Sequence, residues 1–361
     1  MKDLVRNEVY KLEPYKPITF NWDLKMDANE SPFDVPDEIK EEIWDEVKKN
    51  SFARYYDPTS ELLREALALY TNLNKDQIMV GNGADEILSI ILFTFAGTGR
   101  EVIFPTPTFP IYETFTIISG AKPVKIPLIK PQKDNRVWEL DYEKIRGSFT
   151  KDIPQVLILC YPNNPTGNYF DENKILELIE EFNGIVVIDE AYFEFGGKSF
   201  IPYLSKYDNL IIVRTFSKAF CLAGIRVGYL ATSKPIIDEL YKTKPPYNVN
   251  LFSQTAAKVL LKHTRFMNEV SHKLADNREY LYNELNSIDA LTPYPSEGNF
   301  ILTRFKYGRE EVYNGLRAKR ISIRKLFDEA LTDCLRISVG SREEIDRLIY
   351  EMKKILEGLK N

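Results

Sequence analysis

Five short apolar runs stop abruptly, at Gly81, Pro105, Tyr161-Pro162, Asp189 and Arg214 in turn: Gln77-Ile78-Met79-Val80, Glu101-Val102-Ile103-Phe104, Val156-Leu157-Ile158-Leu159-Cys160, Gly184-Ile185-Val186-Val187-Ile188 and Leu210-Ile211-Ile212-Val213. Continuous apolar runs of this length suit strands buried on both faces of a parallel sheet. Between them lie stretches of helical period, such as Ile87 to Leu92 and Glu172 to Phe182. Strand and helix in alternation predict an α/β, doubly wound large domain whose ligand loops fall at the carboxyl ends of its strands. At 361 residues the chain is too long for one simple core, so a smaller second domain is expected.

The punctuation of the chain divides it into three. Residues 1–30 read as an arm, because Pro14 and Pro17 forbid regular helix around Tyr15. The large domain is expected over 31–250, with a first helix from Pro36 to Lys49 and a second entered at Ser60, its expected N-cap. Pro245-Pro246 marks the crossing into an α+β small domain over 251–361. There, 251–286 keeps helical spacing as one long helix or two, and Gly298–Thr303, Ile321–Arg324 and Cys334–Gly340 read as strands before a terminal amphipathic helix.

A net charge of −5 argues against a nucleic-acid surface and leaves small-molecule chemistry as the better expectation. Cys160, Cys221 and Cys334 are odd in number, far apart and set among apolar residues, which reads as free thiols in a reducing compartment with no disulfide framework or zinc spacing. Met1 to Glu8 has no apolar leader, and no run is long enough to span a membrane, so a cytoplasmic protein is expected.

The segment Arg214-Thr215-Phe216-Ser217-Lys218-Ala219-Phe220-Cys221-Leu222-Ala223-Gly224-Ile225-Arg226-Val227-Gly228 carries the chemistry. Lys218 follows a buried strand between two phenylalanines, with a cation eight residues on. Low dielectric and a neighbouring cation lower an amine's pKa, as a Schiff-base lysine requires. Thr215, Ser217 and Arg226 together form a receptor for a phosphate dianion. An aldehyde cofactor bearing a phosphate satisfies both features; the plainer reading is a surface lysine after a core strand. The glycine turn Gly81-Asn82-Gly83-Ala84-Asp85-Glu86, leading from strand into helix, offers unpaired amides at the positive end of a dipole, although it lacks the third glycine of a dinucleotide fingerprint.

The form S-K-A-F-x-L-A-G-x-R-x-G resembles the cofactor lysine segment of fold-type-I, pyridoxal-phosphate-dependent aminotransferases, and most closely their histidinol-phosphate branch. The likeness extends from Tyr15 to Gly340. It implies a large domain with a mainly parallel seven-stranded sheet, a smaller α+β C-terminal domain, and a homodimer with sites at the interface. It also implies transfer of the amino group of L-histidinol phosphate to 2-oxoglutarate, giving imidazole acetol phosphate and L-glutamate in histidine biosynthesis. A broad or aromatic aminotransferase and a threonine-phosphate decarboxylase would share the cofactor residues. A cofactor-sensing regulator would need a DNA-binding module that the short arm does not supply.

Residue by residue, the resemblance assigns Ala84 and Asp85 to the phosphate through their amides, joined by Tyr55 reaching into a neighbouring subunit; Tyr56 stands where relatives often carry proline. Phe109, in the proline-stiffened loop Pro105 to Pro110, is implied to stack on the cofactor ring, though a hydrophobic plug over a strand end reads as well. Asn164, in Tyr161-Pro162-Asn163-Asn164-Pro165-Thr166-Gly167, has an amide suited to the phenolic oxygen, and Tyr192 is placed to share that oxygen. Asp189, at the end of a buried strand, needs a cation, which a protonated pyridine nitrogen supplies; a magnesium site at Asp189-Glu190 is the rival. Arg336 interrupts an apolar strand and demands an anion. The branch adds Arg324, Tyr15, Tyr247 and Asn29 as substrate residues, although Asn29 also reads as a turn former and Arg324 as a surface partner of Asp328 or Glu329.

Overall fold

The computed structural model describes residues 4–14, 21–132 and 136–359. A first strand, β1 (Leu24–Met26), pairs far along the chain. The next seven, β2 (Ile78–Gly81), β3 (Glu101–Thr106), β4 (Lys122–Pro127), β5 (Gln155–Cys160), β6 (Ile185–Asp189), β7 (Leu210–Thr215) and β8 (Gly228–Thr232), form one sheet. Their spatial order is β2-β8-β7-β6-β5-β3-β4. Neighbours run parallel except at β8, which is antiparallel to both β2 and β7.

Every residue of β5 and β7 is buried, because alternate side chains enter different cores. Leu157, Leu159, Ile188 and Ile212 pack on one face, and Val156, Ile158, Val187 and Val213 on the other. Each such side chain contributes about 1.5–3 kcal/mol on burial, and a one-residue slip would exchange the two faces. The register is therefore firm: Cys160 lies beside Asp189, and Asp189 beside Val213. Glu190 consequently falls on the opposite face from Asp189.

Two strands of this sheet escape the sequence pattern. β4 is an edge strand carrying Pro123, Pro127, Lys122 and Lys125, a composition that only an edge tolerates. β8 is a short run directly behind the lysine segment. Ser60 is the N-cap residue of helix Glu61–Thr71, as expected, but its side chain makes no capping bond. Ser60 sits there in the left-handed region (φ 54°), yet the carboxylate of Asp57 accepts the amides of Thr59 (2.8 Å) and Glu61 (2.5 Å), a charged acceptor being the stronger one at a helix's positive end.

A second sheet takes the order β1-β11-β12-β10-β9, from β9 (Leu291–Pro293), β10 (Phe300–Phe305), β11 (Ile321–Lys325) and β12 (Cys334–Ser338). β1 joins it in parallel, with Leu24 opposite Ile321 and Met26 opposite Ile323. The start of the described chain thus edges a sheet built from its end. The stretch 251–286 is two helices, Leu251–Leu260 and Thr264–Asn286. The last helix, Arg342–Gly358, opens with a capping box between Ser341 and Glu344. Among the described residues no helix is long and apolar enough to cross a membrane.

Candidate active site

The residues after β7 fold back on β8. The Phe216 amide donates to Val227 O at 3.0 Å, and Thr215 Oγ1 accepts the Ser217 amide at 3.1 Å. This turn aims Lys218 back across the carboxyl ends of the strands, where Nζ donates to Ala28 O at 3.1 Å. Burial pushes the ammonium down to about 8, with the Arg336 guanidinium acting in the same direction against Glu30 and Asp85. A fraction of Lys218 is therefore a free amine near neutral pH.

Arg226, in the left-handed region at φ 57°, donates through Nη1 to Ser217 Oγ (3.2 Å) and through Nη2 to Asp85 Oδ2 (3.3 Å). It lies against the turn that starts helix Gly83–Phe95. A Cβ on Gly228 would come within 2.5 Å of the Ala84 amide nitrogen, a backbone atom, so that approach requires glycine, and Gly83 is required by its left-handed φ of 84°. Ser217, Arg226 and the first-turn amides at Ala84 and Asp85 thus form one cup. First-turn amides have no intrahelical acceptor, which suits an oxyanion.

Across the sheet ends, Asp189 is buried on the face of Val187 and Cys160. Its Oδ2 accepts from Tyr112 Oη at 2.6 Å and its Oδ1 from the Ala191 amide at 3.1 Å. Burial nonetheless pushes the carboxyl up to about 6. Tyr192 Oη accepts from Asn164 Nδ2 (3.2 Å) and Asn29 Nδ2 (3.0 Å). Asn164 Oδ1 in turn accepts from Arg336 Nη1 at 2.7 Å, and Arg336 Nη2 donates to Asp27 O at 2.7 Å. Asn29, at φ 53°, is locked to β12 by its amide on Ser338 Oγ (2.8 Å), with its carbonyl accepting from Asn299 Nδ2 (2.9 Å). Tyr192, Asn164, Asn29 and Arg336 therefore form one hydrogen-bonded network spanning both sheets, with Lys218 Nζ 6.0 Å from the centre of the Tyr192 ring and Asp189 held separately by Tyr112 and the Ala191 amide.

The sequence matches the family model of aminotransferase class I and II over residues 23–351. The chain belongs to the class I and II aminotransferases. It is 38% identical over 357 residues, 99% of each chain, to a histidinol-phosphate aminotransferase of Caldanaerobacter subterraneus subsp. tengcongensis. Over 361 residues, again 99% of each, it is 40% identical to one of Thermoanaerobacter pseudethanolicus. The crystal structure of the histidinol-phosphate aminotransferase from Clostridium acetobutylicum superimposes with a TM-score of 0.84 at 27% identity, covering 93% of this chain and 99% of that one.

Aminotransferases of this class depend on pyridoxal 5′-phosphate, and the residues present fit that group. The glycine-lined cup has the donors a phosphate needs, Asp189 is a buried carboxylate short of a cation, and Lys218 is an amine of lowered basicity. The magnesium reading of Asp189-Glu190 is corrected by the sheet: Glu190 turns to the other face, where Arg214 Nη2 donates to it at 2.9 Å and the Phe200 amide at 2.6 Å.

Other expected residues lie further out. Phe109 is partly buried and meets Tyr112 edge-on at 5.8 Å. Tyr55 is 83% exposed and stacks on Tyr247 at 4.4 Å, so this aminotransferase presents both at its surface. Arg324, on β11, pairs in register with Arg336. Tyr15 lies outside the described residues. Sequence reasoning missed Tyr112, Ser338 and the Glu190–Arg214 pair. Arg214 did carry a signal, since it interrupts an apolar strand as Arg336 does and so demands an anion.

Proposed function

We propose that this aminotransferase moves the amino group of L-histidinol phosphate to 2-oxoglutarate, giving imidazole acetol phosphate and L-glutamate. The observation that carries the substrate reading is the register of Arg324 opposite Arg336. Directly opposed residues of antiparallel strands share a face, and like charges there are destabilising unless an anion lies between them. A phosphate monoester with nearly two charges rewards two guanidinium groups more than an α-carboxylate does.

When bound, the cofactor supplies an aldehyde that captures the substrate amine and a ring that draws electrons from the substrate α-carbon. Ser217, Thr215, Arg226 and the Ala84 and Asp85 amides bind its phosphate. Asp189 holds the proton at the ring nitrogen. Asn164 and Tyr192 would hold the phenolic oxygen, and Phe109 would lie against the ring. Lys218 would hold the aldehyde end of the cofactor and, as a free amine, would take and return the proton at the substrate α-carbon, a task suited to an amine with a pKa of about 8.

Tyr55 and Tyr247 serve the neighbouring site of a homodimer, with Tyr15, Asn29, Arg324 and Arg336 as the substrate residues. The exposed pair Tyr55 and Tyr247, with Phe52 70% exposed nearby in sequence, supports such an interface. A cytoplasmic enzyme, with an arm to about residue 30 and a boundary near residue 250, completes the reading. The test supplies histidinol phosphate, phenylalanine and threonine phosphate in turn with 2-oxoglutarate and follows glutamate. Fastest turnover with histidinol phosphate is expected; preference for phenylalanine, or carbon dioxide release from threonine phosphate, contradicts it.

A further inference from the structure

Tyr112 occupies the junction of two site residues, Asp189 and Phe109. It is fully buried, and a buried tyrosine hydroxyl needs a partner. Its partner is Asp189 Oδ2 at 2.6 Å, the shortest contact that carboxylate makes. Burial and the neighbouring Asp189 hold the phenol well above its usual range, so it stays protonated and donates. The same ring meets Phe109 edge-on (5.8 Å, 89°) and Phe104 at 6.4 Å. The Tyr112 amide donates to Phe109 O at 3.2 Å, which puts the two residues on one turn at the start of helix Ile111–Ser119. One turn of chain thus carries both the aromatic ring offered to the cofactor and the hydroxyl that grips the carboxylate.

We propose that Tyr112 is a positioning residue for the cofactor ring: its hydroxyl aims the Asp189 carboxylate at the ring nitrogen while its ring edge sets the tilt of Phe109. With one donor on each oxygen, from Tyr112 and from the Ala191 amide, the carboxylate cannot rotate, and lone pairs remain for a third donor. The groups facing Asp189 are Tyr112 and Cys160 on its own face, with Asp85 and Glu190 acting through space to disfavour its charge. A hydroxyl donor offsets those carboxylates and keeps an anion ready for a protonated nitrogen.

The inference rests on Asp189 as the partner of the ring nitrogen, and the experiment separates the two claims. Apoprotein is titrated with pyridoxal 5′-phosphate and with its benzene analogue, in which the ring nitrogen is replaced by C–H. Wild type preferring the pyridine supports the Asp189 reading, and equal affinity sinks it. Tyr112→Phe keeps the packing and removes one charge-assisted donor, so it should weaken pyridoxal phosphate binding about ten- to a hundredfold. The analogue should lose less than about threefold, as should the pyridine when Tyr112→Phe is added to Asp189→Asn, because the lost contact acts only through the charged pair. Equal losses for both ligands would mean packing alone and overturn the proposal, as would an unchanged affinity for the pyridine. Should Tyr112→Phe fail to fold, 3-fluorotyrosine placed at position 112 keeps the shape and strengthens the donor. It must then move the nitrogen resonance of ¹⁵N-labelled cofactor in the holoenzyme, and a stationary resonance overturns the proposal.

Discussion

Replacing Asp189 with asparagine should make the cofactor-free protein more stable at neutral pH while making the loaded protein worse. Burial raises the Asp189 carboxyl from 3.8 to about 6. That rise means that holding the carboxylate ionised costs the apoprotein about 3 kcal/mol. The stability this group confers is fully present below its unfolded pKa of 3.8 and is lost as pH rises through about 6, because between those values the folded state binds the extra proton. Between pH 5 and pH 8 the wild-type apoprotein should therefore lose roughly 1–2 kcal/mol through this residue, and Asp189→Asn should not. Urea melts of both apoproteins at the two pH values read the difference, and comparing slopes cancels any pH-independent effect of the amide. Saturating pyridoxal 5′-phosphate should reverse the order at pH 8, since the carboxylate then faces a protonated nitrogen. Parallel pH dependences for the two apoproteins, or an equal gain from the cofactor in both, would refute the reasoning.

Borohydride treatment of the holoenzyme should leave cofactor on the Lys218 peptide alone, and Lys218→Ala should retain none; a label on another lysine refutes the assignment. Glu190→Gln leaves the buried Arg214 guanidinium without its anion and should cost about 3–5 kcal/mol in urea melts, whereas a loss under about 1 kcal/mol would show the pair to be dispensable. Mixing Lys218→Ala with Tyr55→Phe subunits should restore activity, because one site of the mixed dimer then carries neither change. No recovery under proven subunit exchange counts against shared sites.

Where a function depended on local composition, it could be read along the chain. The stops after β5, β6 and β7 mark the asparagine loop, Asp189 and Lys218, and each run is apolar because both faces of its strand are covered. β4 stayed hidden because an edge strand need not be apolar, and two prolines spoke against it. Ser60 suggested a cap by residue type, but Asp57 holds the amides, a choice set by loop geometry. Nothing along the chain singles out Tyr112, because its meaning depends on the sheet carrying Asp189 within reach of its hydroxyl across 77 residues. The pairing of Arg324 with Arg336 likewise appears only once β11 and β12 are in register.

The substrate claim rests on those two arginines, and Arg324→Ala tests it most directly. Catalytic efficiency is measured for histidinol phosphate and for phenylalanine, in wild type and variant. Removing one charge-assisted contact of about 1.5–3 kcal/mol should lower the efficiency for histidinol phosphate about ten- to a hundredfold while leaving phenylalanine much less affected. Equal losses for the two substrates, or a wild-type enzyme that prefers phenylalanine, would contradict the account.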